Sequence, residues 1–195
     1  MTRPGQALTL GAVVLVGGTA ARMGGVDKAA LEVEGVTLLE RVLAAVMSAA
    51  EVVVVGDRVP TSRTVTWTVE DPPLGGPAAG LLAGLDAFAT APTLVAVLAV
   101  DMPKVNAGTV ARLTWAVEAD PGVDGAVLVD PAGRRQTLAA VYRFAALSAA
   151  RPPHHEQHGL SMRRLVAGLR LAEVAPVGDE ARDVDTWDDL RDLTR

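Results

Sequence analysis

Ala12-Val13-Val14-Leu15-Val16-Gly17-Gly18-Thr19-Ala20-Ala21-Arg22-Met23-Gly24-Gly25-Val26-Asp27-Lys28 is the stretch on which the fold turns. It opens as an unbroken apolar run, which adjacent glycines then end. A run this short and continuous reads as a strand buried on both faces, the kind found in parallel sheets. Outward from it, Val52–Val55, Leu94–Val100 and Ala126–Val129 carry the same signature. Val65–Val69 reads as a further strand, and Leu138–Tyr142 and Leu171–Val177 as weaker ones. Helical patterns lie between them. Leu38, Leu39, Val42, Leu43, Val46 and Met47 form one apolar stripe behind an expected capping box from Thr37 to Glu40. Pro77 opens a second helix bearing Leu81, Leu82, Leu85 and Phe88. Asn106 caps a third with Val110, Leu113 and Val117, and Asp185 or Thr186 caps a last one through Leu190 and Leu193. This alternation predicts an α/β fold: three layers around a mostly parallel, twisted sheet with right-handed crossovers, as one domain over residues 1–195.

Composition narrows the function. Half of the 195 residues are apolar and 21% are charged, which excludes a disordered chain. The absence of cysteine excludes a disulfide scaffold, a thiolate nucleophile, an iron–sulfur cluster and a Cys-ligated zinc site. A net charge of −5, a pI of about 5.2 and 3% aromatics argue against nucleic acid as partner, since both a basic footprint and stacking platforms are lacking. Any anionic ligand must be held by local groups, because the overall field repels it. Arg3 and the run Ala7–Val16 loosely imitate a secretory signal, but cleavage there would destroy the richest motif of the chain, so a cytoplasmic protein is expected. No stretch reaches the roughly 18 uninterrupted apolar residues of a membrane span, and no membrane partner is expected.

In a parallel α/β sheet the ligand crevice lies at the carboxyl ends of the strands. Glycines after the first strand let backbone N–H groups approach an anion, and Arg22 and Lys28 add two cations, a planar fork and a point charge suited to a triphosphate. Two familiar phosphate motifs do not fit. Lys28 is followed by Ala29 where a Walker A loop needs Ser or Thr, and the adjacent Gly17 and Gly18 break the G-x-G-x-x-G dinucleotide pattern. Asp101 ends the apolar strand Leu94–Val100, where a carboxylate either holds Mg²⁺ with triphosphate oxygens or caps the next turn. Asp71 precedes a Pro/Gly loop, and Gly75-Gly76-Pro77 sets a helix N-terminus near the same crevice. His155-Glu156-Gln157-His158 is one spacer short of the zinc motif H-E-x-x-H, and Arg151–Gly159 reads as a surface loop.

Taken together, Gly-Gly-x-x-x-Arg-Met-Gly-Gly-x-Asp-Lys from Gly17 to Lys28 resembles the signature loop of the molybdenum cofactor guanylyltransferase family, part of the wider Rossmann-like nucleoside-triphosphate transferases. Asp71 with Gly75–Leu81 resembles that family's second loop, and Ala99–Pro103 its metal-binding strand end. Arg134–Tyr142 resembles its substrate-side strand and Asp183–Leu190 its closing segment. The resemblance implies transfer of GMP from GTP to the phosphate of molybdenum-loaded molybdopterin, with release of pyrophosphate and Mg²⁺ as cofactor. It implies Arg22, Lys28 and Asp101 as catalytic residues and Asp101 as the magnesium ligand. Around the nucleotide it implies Leu15, Val16, Gly17, Gly18, Arg22, Lys28, Asp71 and Asp101. Oligomeric state is left open. Two other readings stand beside it: a sister transferase (CTP to molybdopterin, or GTP to a phosphorylated small acid or sugar) and a regulatory module that binds nucleotide without turnover.

Overall fold

The computed structural model describes residues 8–16, 28–184 and 186–192. Its strands are β1 Leu10–Leu15, β2 Glu32–Val33, β3 Val36–Thr37, β4 Glu51–Val55, β5 Thr66–Thr68, β6 Leu94–Ala99, β7 Gly125–Val129, β8 Arg135–Arg143 and β9 Leu171–Val174. Its α-helices are α1 Leu38–Ala45, α2 Pro77–Asp86, α3 Ala107–Ala119, α4 Phe144–Ala149, α5 Met162–Leu165 and α6 Trp187–Asp192. Seven strands form one sheet in the order β5-β4-β1-β6-β8-β7-β9. β8 runs antiparallel to both its neighbours, β6 and β7, and every other pair is parallel. The expected mostly parallel sheet is present, with this one reversal inside it.

Strand alternation sorts the core onto two faces. Ala12 and Val14 of β1 pack with α1 and α3, while Val13 and Leu15 pack with α2, α4 and α5. Both faces are covered, which is why β1, β4 and β6 are apolar at nearly every position. From β1 the chain builds outward on one side through β4 and β5, then crosses to the other side at β6. The topological switch point therefore lies between β1 and β6, and the crevice beyond their carboxyl ends is the natural place for a ligand.

Several helix starts follow their sequence signals. Pro77 occupies the first turn of α2. Asn106 caps α3 through the amides of Gly108 and Thr109, and the Thr109 hydroxyl returns to the Asn106 amide. Asn106→Ala removes this cap and is expected to cost about 1 kcal/mol in urea unfolding, with the spectrum of the folded protein unchanged. Thr186 accepts from the Asp189 amide at the start of α6 while the Asp189 carboxylate accepts from the Thr186 amide; Asp185 lies outside the described residues.

Other expectations need correction. Thr37 does accept from the Glu40 amide, but the Glu40 carboxylate reaches out to the amide and hydroxyl of Ser62 instead of closing the box. Helix α1 stops at Ala45, so Met47 leaves the apolar stripe and is exposed. β2 and β3 form a small hairpin through Glu34 and Gly35, both at positive φ, where no strand was expected. β8 is longer than the run Leu138–Tyr142 because its polar start, Arg135 and Gln136, pairs with β7 beyond a register shift at Val127/Leu128. β9 ends at Val174, ahead of Pro176, which has no N–H to donate. Arg151–Gly159 is more ordered than its composition implies. Arg151 grips the Asp86 carboxylate with both terminal nitrogens, His154–Glu156 forms a 3₁₀ turn, and the side chain of buried Gln157 donates to Pro152.

Candidate active site

The switch point brings two of the sequence-derived residues together. Lys28 stands where the loop after β1 re-enters the described structure, and Asp101 stands two residues past β6. Lys28 Nζ lies 3.7 Å from Asp101 Oδ2, with side-chain exposures of 16% and 33%. Both groups are thus sheltered yet reachable from the crevice. A third element completes the junction. Lys28 Nζ donates to the Val184 carbonyl at 2.9 Å, and the Val184 amide donates to the Asp101 carbonyl at 2.8 Å. One residue near the end of the chain therefore bridges both halves of the site through its main chain.

Leu15 ends β1 and Val16 follows it, both buried. The Val16 amide donates to Val55 and the Leu15 carbonyl accepts from Val100, so these groups are engaged by the sheet rather than by the crevice. Gly17, Gly18 and Arg22 lie outside the described residues. Asp71 follows a different strand from the Lys28–Asp101 pair. It follows β5, and three strand spacings of about 4.8 Å separate β5 from β6. Its carboxylate is exposed and lies 3.4 Å from His154 Nε2, across a loop whose Gly159 amide donates to Gly75. At the start of α2 the Gly76 amide donates to the Glu70 carboxylate at 3.0 Å. An anion of the protein itself thus occupies this helix N-terminus, which disfavours a second anion there.

Asp130 is a group that the sequence did not single out. Its carboxylate accepts from the amides of Ala132 and Arg134, from Arg134 Nε and from Gln136 Nε2. The Arg134 amide and guanidinium hold its carboxyl below the usual carboxylate range against the pull of burial. Arg134 and Arg135 are consequently paired, with Asp130 and Glu173 respectively, on the exposed lip of β8.

Glu180 is another. Burial alone would raise its pKa, but the Val177 amide, the Thr109 hydroxyl and the Arg112 guanidinium outweigh burial and hold the carboxyl below its ordinary value. A lowered folded-state pKa contributes stability that is present above the unfolded value and lost as pH falls through the folded one. Glu180→Gln is expected to cost about 1–2 kcal/mol at neutral pH. The gap to the parent should shrink once pH drops below about 4.5, as read from denaturant midpoints across pH.

A cation and a carboxylate thus meet at the switch point of a doubly covered sheet, where open α/β folds place their ligands. The family model of the MobA-like NTP transferase domain matches residues 12–174. A probable molybdenum cofactor guanylyltransferase of Opitutus terrae is 34% identical over 97% of this chain and 96% of its own length. A molybdenum cofactor guanylyltransferase of Cupriavidus taiwanensis is 32% identical over 92% and 93%. Among solved structures, molybdopterin-guanine dinucleotide biosynthesis protein A of Archaeoglobus fulgidus superposes with a TM-score of 0.72 at 20% identity, covering 94% of this chain and 96% of that one, a likeness of fold. The 2-C-methyl-D-erythritol 4-phosphate cytidylyltransferase of Thermus thermophilus gives 0.68 at 26%, covering 93% and 96%. The chain is a nucleotidyltransferase of the α/β class. It belongs to the family of MobA-like NTP transferase domains.

Proposed function

We propose that this protein transfers GMP from GTP to the phosphate of molybdenum-loaded molybdopterin, releasing pyrophosphate. The observation that carries the reading is the Lys28–Asp101 junction at the switch point, in a chain a third identical over nearly its whole length to relatives named for guanylyl transfer in molybdenum cofactor synthesis. An oxygen of the acceptor phosphate attacks the α-phosphorus of GTP. The new P–O bond forms as the bond to pyrophosphate breaks, and the electron pair leaves with pyrophosphate. The attacking oxygen is already anionic, so no protein nucleophile is required. Positioning and charge neutralisation supply most of the catalysis in phosphoryl chemistry.

Lys28 supplies a point charge beside the phosphates, and Arg22 adds a planar fork from the same loop. The loop amides around Gly17 and Gly18 would neutralise the leaving pyrophosphate. Asp71 and the α2 entrance, which already holds the Glu70 carboxylate, serve the nucleoside end. Asp101 fits Mg²⁺. A hard cation of this kind accepts one carboxylate and takes its remaining oxygens from phosphates and water. Among the described residues no cluster of three acidic or histidine side chains offers a closed metal cage. When bound, Mg²⁺ would relieve charge on the phosphate oxygens.

The test is pyrophosphate release with molybdopterin and Mg²⁺ against GTP, CTP and ATP. Turnover with GTP well above the other two is expected. Preference for CTP would move the protein to the sister activity. GTP binding without pyrophosphate release would make it a regulatory module.

A further inference from the structure

The main chain of Val184 touches both halves of the site, so whatever holds Val184 bears on the chemistry. Val184 lies beyond the residues that the family model matches, which end at 174. It is buried, and it follows a turn around Glu180. Glu180 is 4% exposed. Its carboxylate accepts from the Val177 amide at 2.8 Å, inside its own turn. It also accepts from the Thr109 hydroxyl at 2.7 Å, from Arg112, and from the Asn106 side-chain amide at 3.4 Å. The last three belong to α3 and its cap, and α3 follows Asp101 after one short turn. A buried carboxylate is costly once its partners leave, so the turn is locked to the element that carries Asp101.

The geometry points to Glu180 as a positioning residue for nucleotide binding: it fixes the turn before Val184 and, through the Val184 carbonyl, sets where the Lys28 ammonium stands. This rests on the reading that Lys28 meets the triphosphate. A purely structural role for Glu180 would lower stability without acting through Lys28, and the two are separable.

The experiment measures Mg·GTP affinity by calorimetry on the full chain. Glu180→Gln and the milder Thr109→Val are each made in the parent and in a Lys28→Ala background. In the parent both are expected to weaken Mg·GTP binding, Glu180→Gln by about 10-fold and Thr109→Val by less. In the Lys28→Ala background neither should weaken it further. Leu147→Ala, a cavity on the α4 side of the sheet, should lower Tm at least as much and leave affinity unchanged. Unchanged affinity in the parent, or equal losses in both backgrounds, overturns the proposal. Because the readout is affinity, a parent protein that binds Mg·GTP yet releases no pyrophosphate would count against the reaction and leave the positioning role standing. A parent that binds no Mg·GTP overturns both.

Discussion

Asp101→Asn and Lys28→Ala will each lower turnover with GTP and Mg²⁺ by about 10²–10³-fold, the usual loss when one preorganised electrostatic group is removed from such a site. The folded protein should survive both changes. Asp101 meets the closing segment through its main-chain carbonyl, which accepts from Val184, so amidation of the side chain spares that bond. Lys28→Ala gives up the hydrogen bond to the Val184 carbonyl, worth about 1 kcal/mol, together with the partly exposed ion pair to Asp101, worth about 1 kcal/mol or less. The two variants should differ in kind. Asp101→Asn keeps the shape and loses the charge a metal needs, so its activity should recover in part as Mg²⁺ is raised. Lys28→Ala should not respond to added metal. Steady-state rates across a magnesium titration, with thermal melts alongside, check both statements. Near-parental turnover in both variants would remove Lys28 and Asp101 from the mechanism.

Asp101 was legible because it closes an apolar run, whereas Lys28 was marked by the glycine-rich motif after β1 and not by periodicity. Leu94–Val100 places Asp101 at the tip of β6, and the motif Gly17–Lys28 follows β1 in sequence. The pairing of β1 with β6 sets their ends side by side, but the 3.7 Å approach also depends on where the chain returns at Lys28, which no periodicity gives. The reversal of β8 was not legible in the same way. A strand buried between two neighbours looks apolar whichever way it runs, and Ala139–Tyr142 carries no mark of direction. Glu180 was missed for a different reason. Its partners Asn106, Thr109 and Arg112 are 68 to 74 residues away, so no local spacing connects them. In sequence it is one more acidic residue in a charged tail, and only packing makes it a buried anchor. Arg151–Gly159 shows the converse. Its prolines and histidines mark a loop correctly, but the order comes from Arg151 clamping Asp86 across the fold.

The largest expected loss of stability lies in α2, where Gly84 lets the helix press onto the sheet. A Cβ built there would stand 2.6 Å from Val13 Cγ1 and 3.2 Å from Val55 Cγ2. Val13 is fully buried and β-branched in the middle of β1, so it has no free rotamer with which to yield. Helix propensity alone would favour replacing this glycine, by about 1 kcal/mol for alanine. Overpacking of a close interface costs about 1–3 kcal/mol, so contact outweighs propensity and the sign reverses. Gly84→Val is expected to lose about 3 kcal/mol in denaturant unfolding, and Gly84→Ala a smaller amount. Gly80, one turn earlier on the same helix, is the internal control. Its added Cβ would meet Leu15 and Val55 only at 3.5 and 3.6 Å, ordinary contact distances. Gly80→Ala should therefore keep the propensity gain and leave stability equal or higher. Because α2 also carries the Gly76 entrance, Gly84→Val should weaken GTP binding as the helix is levered off β1. If Gly84→Ala and Gly80→Ala shift the midpoint equally, the close approach of α2 to Val13 is not what holds this helix in place.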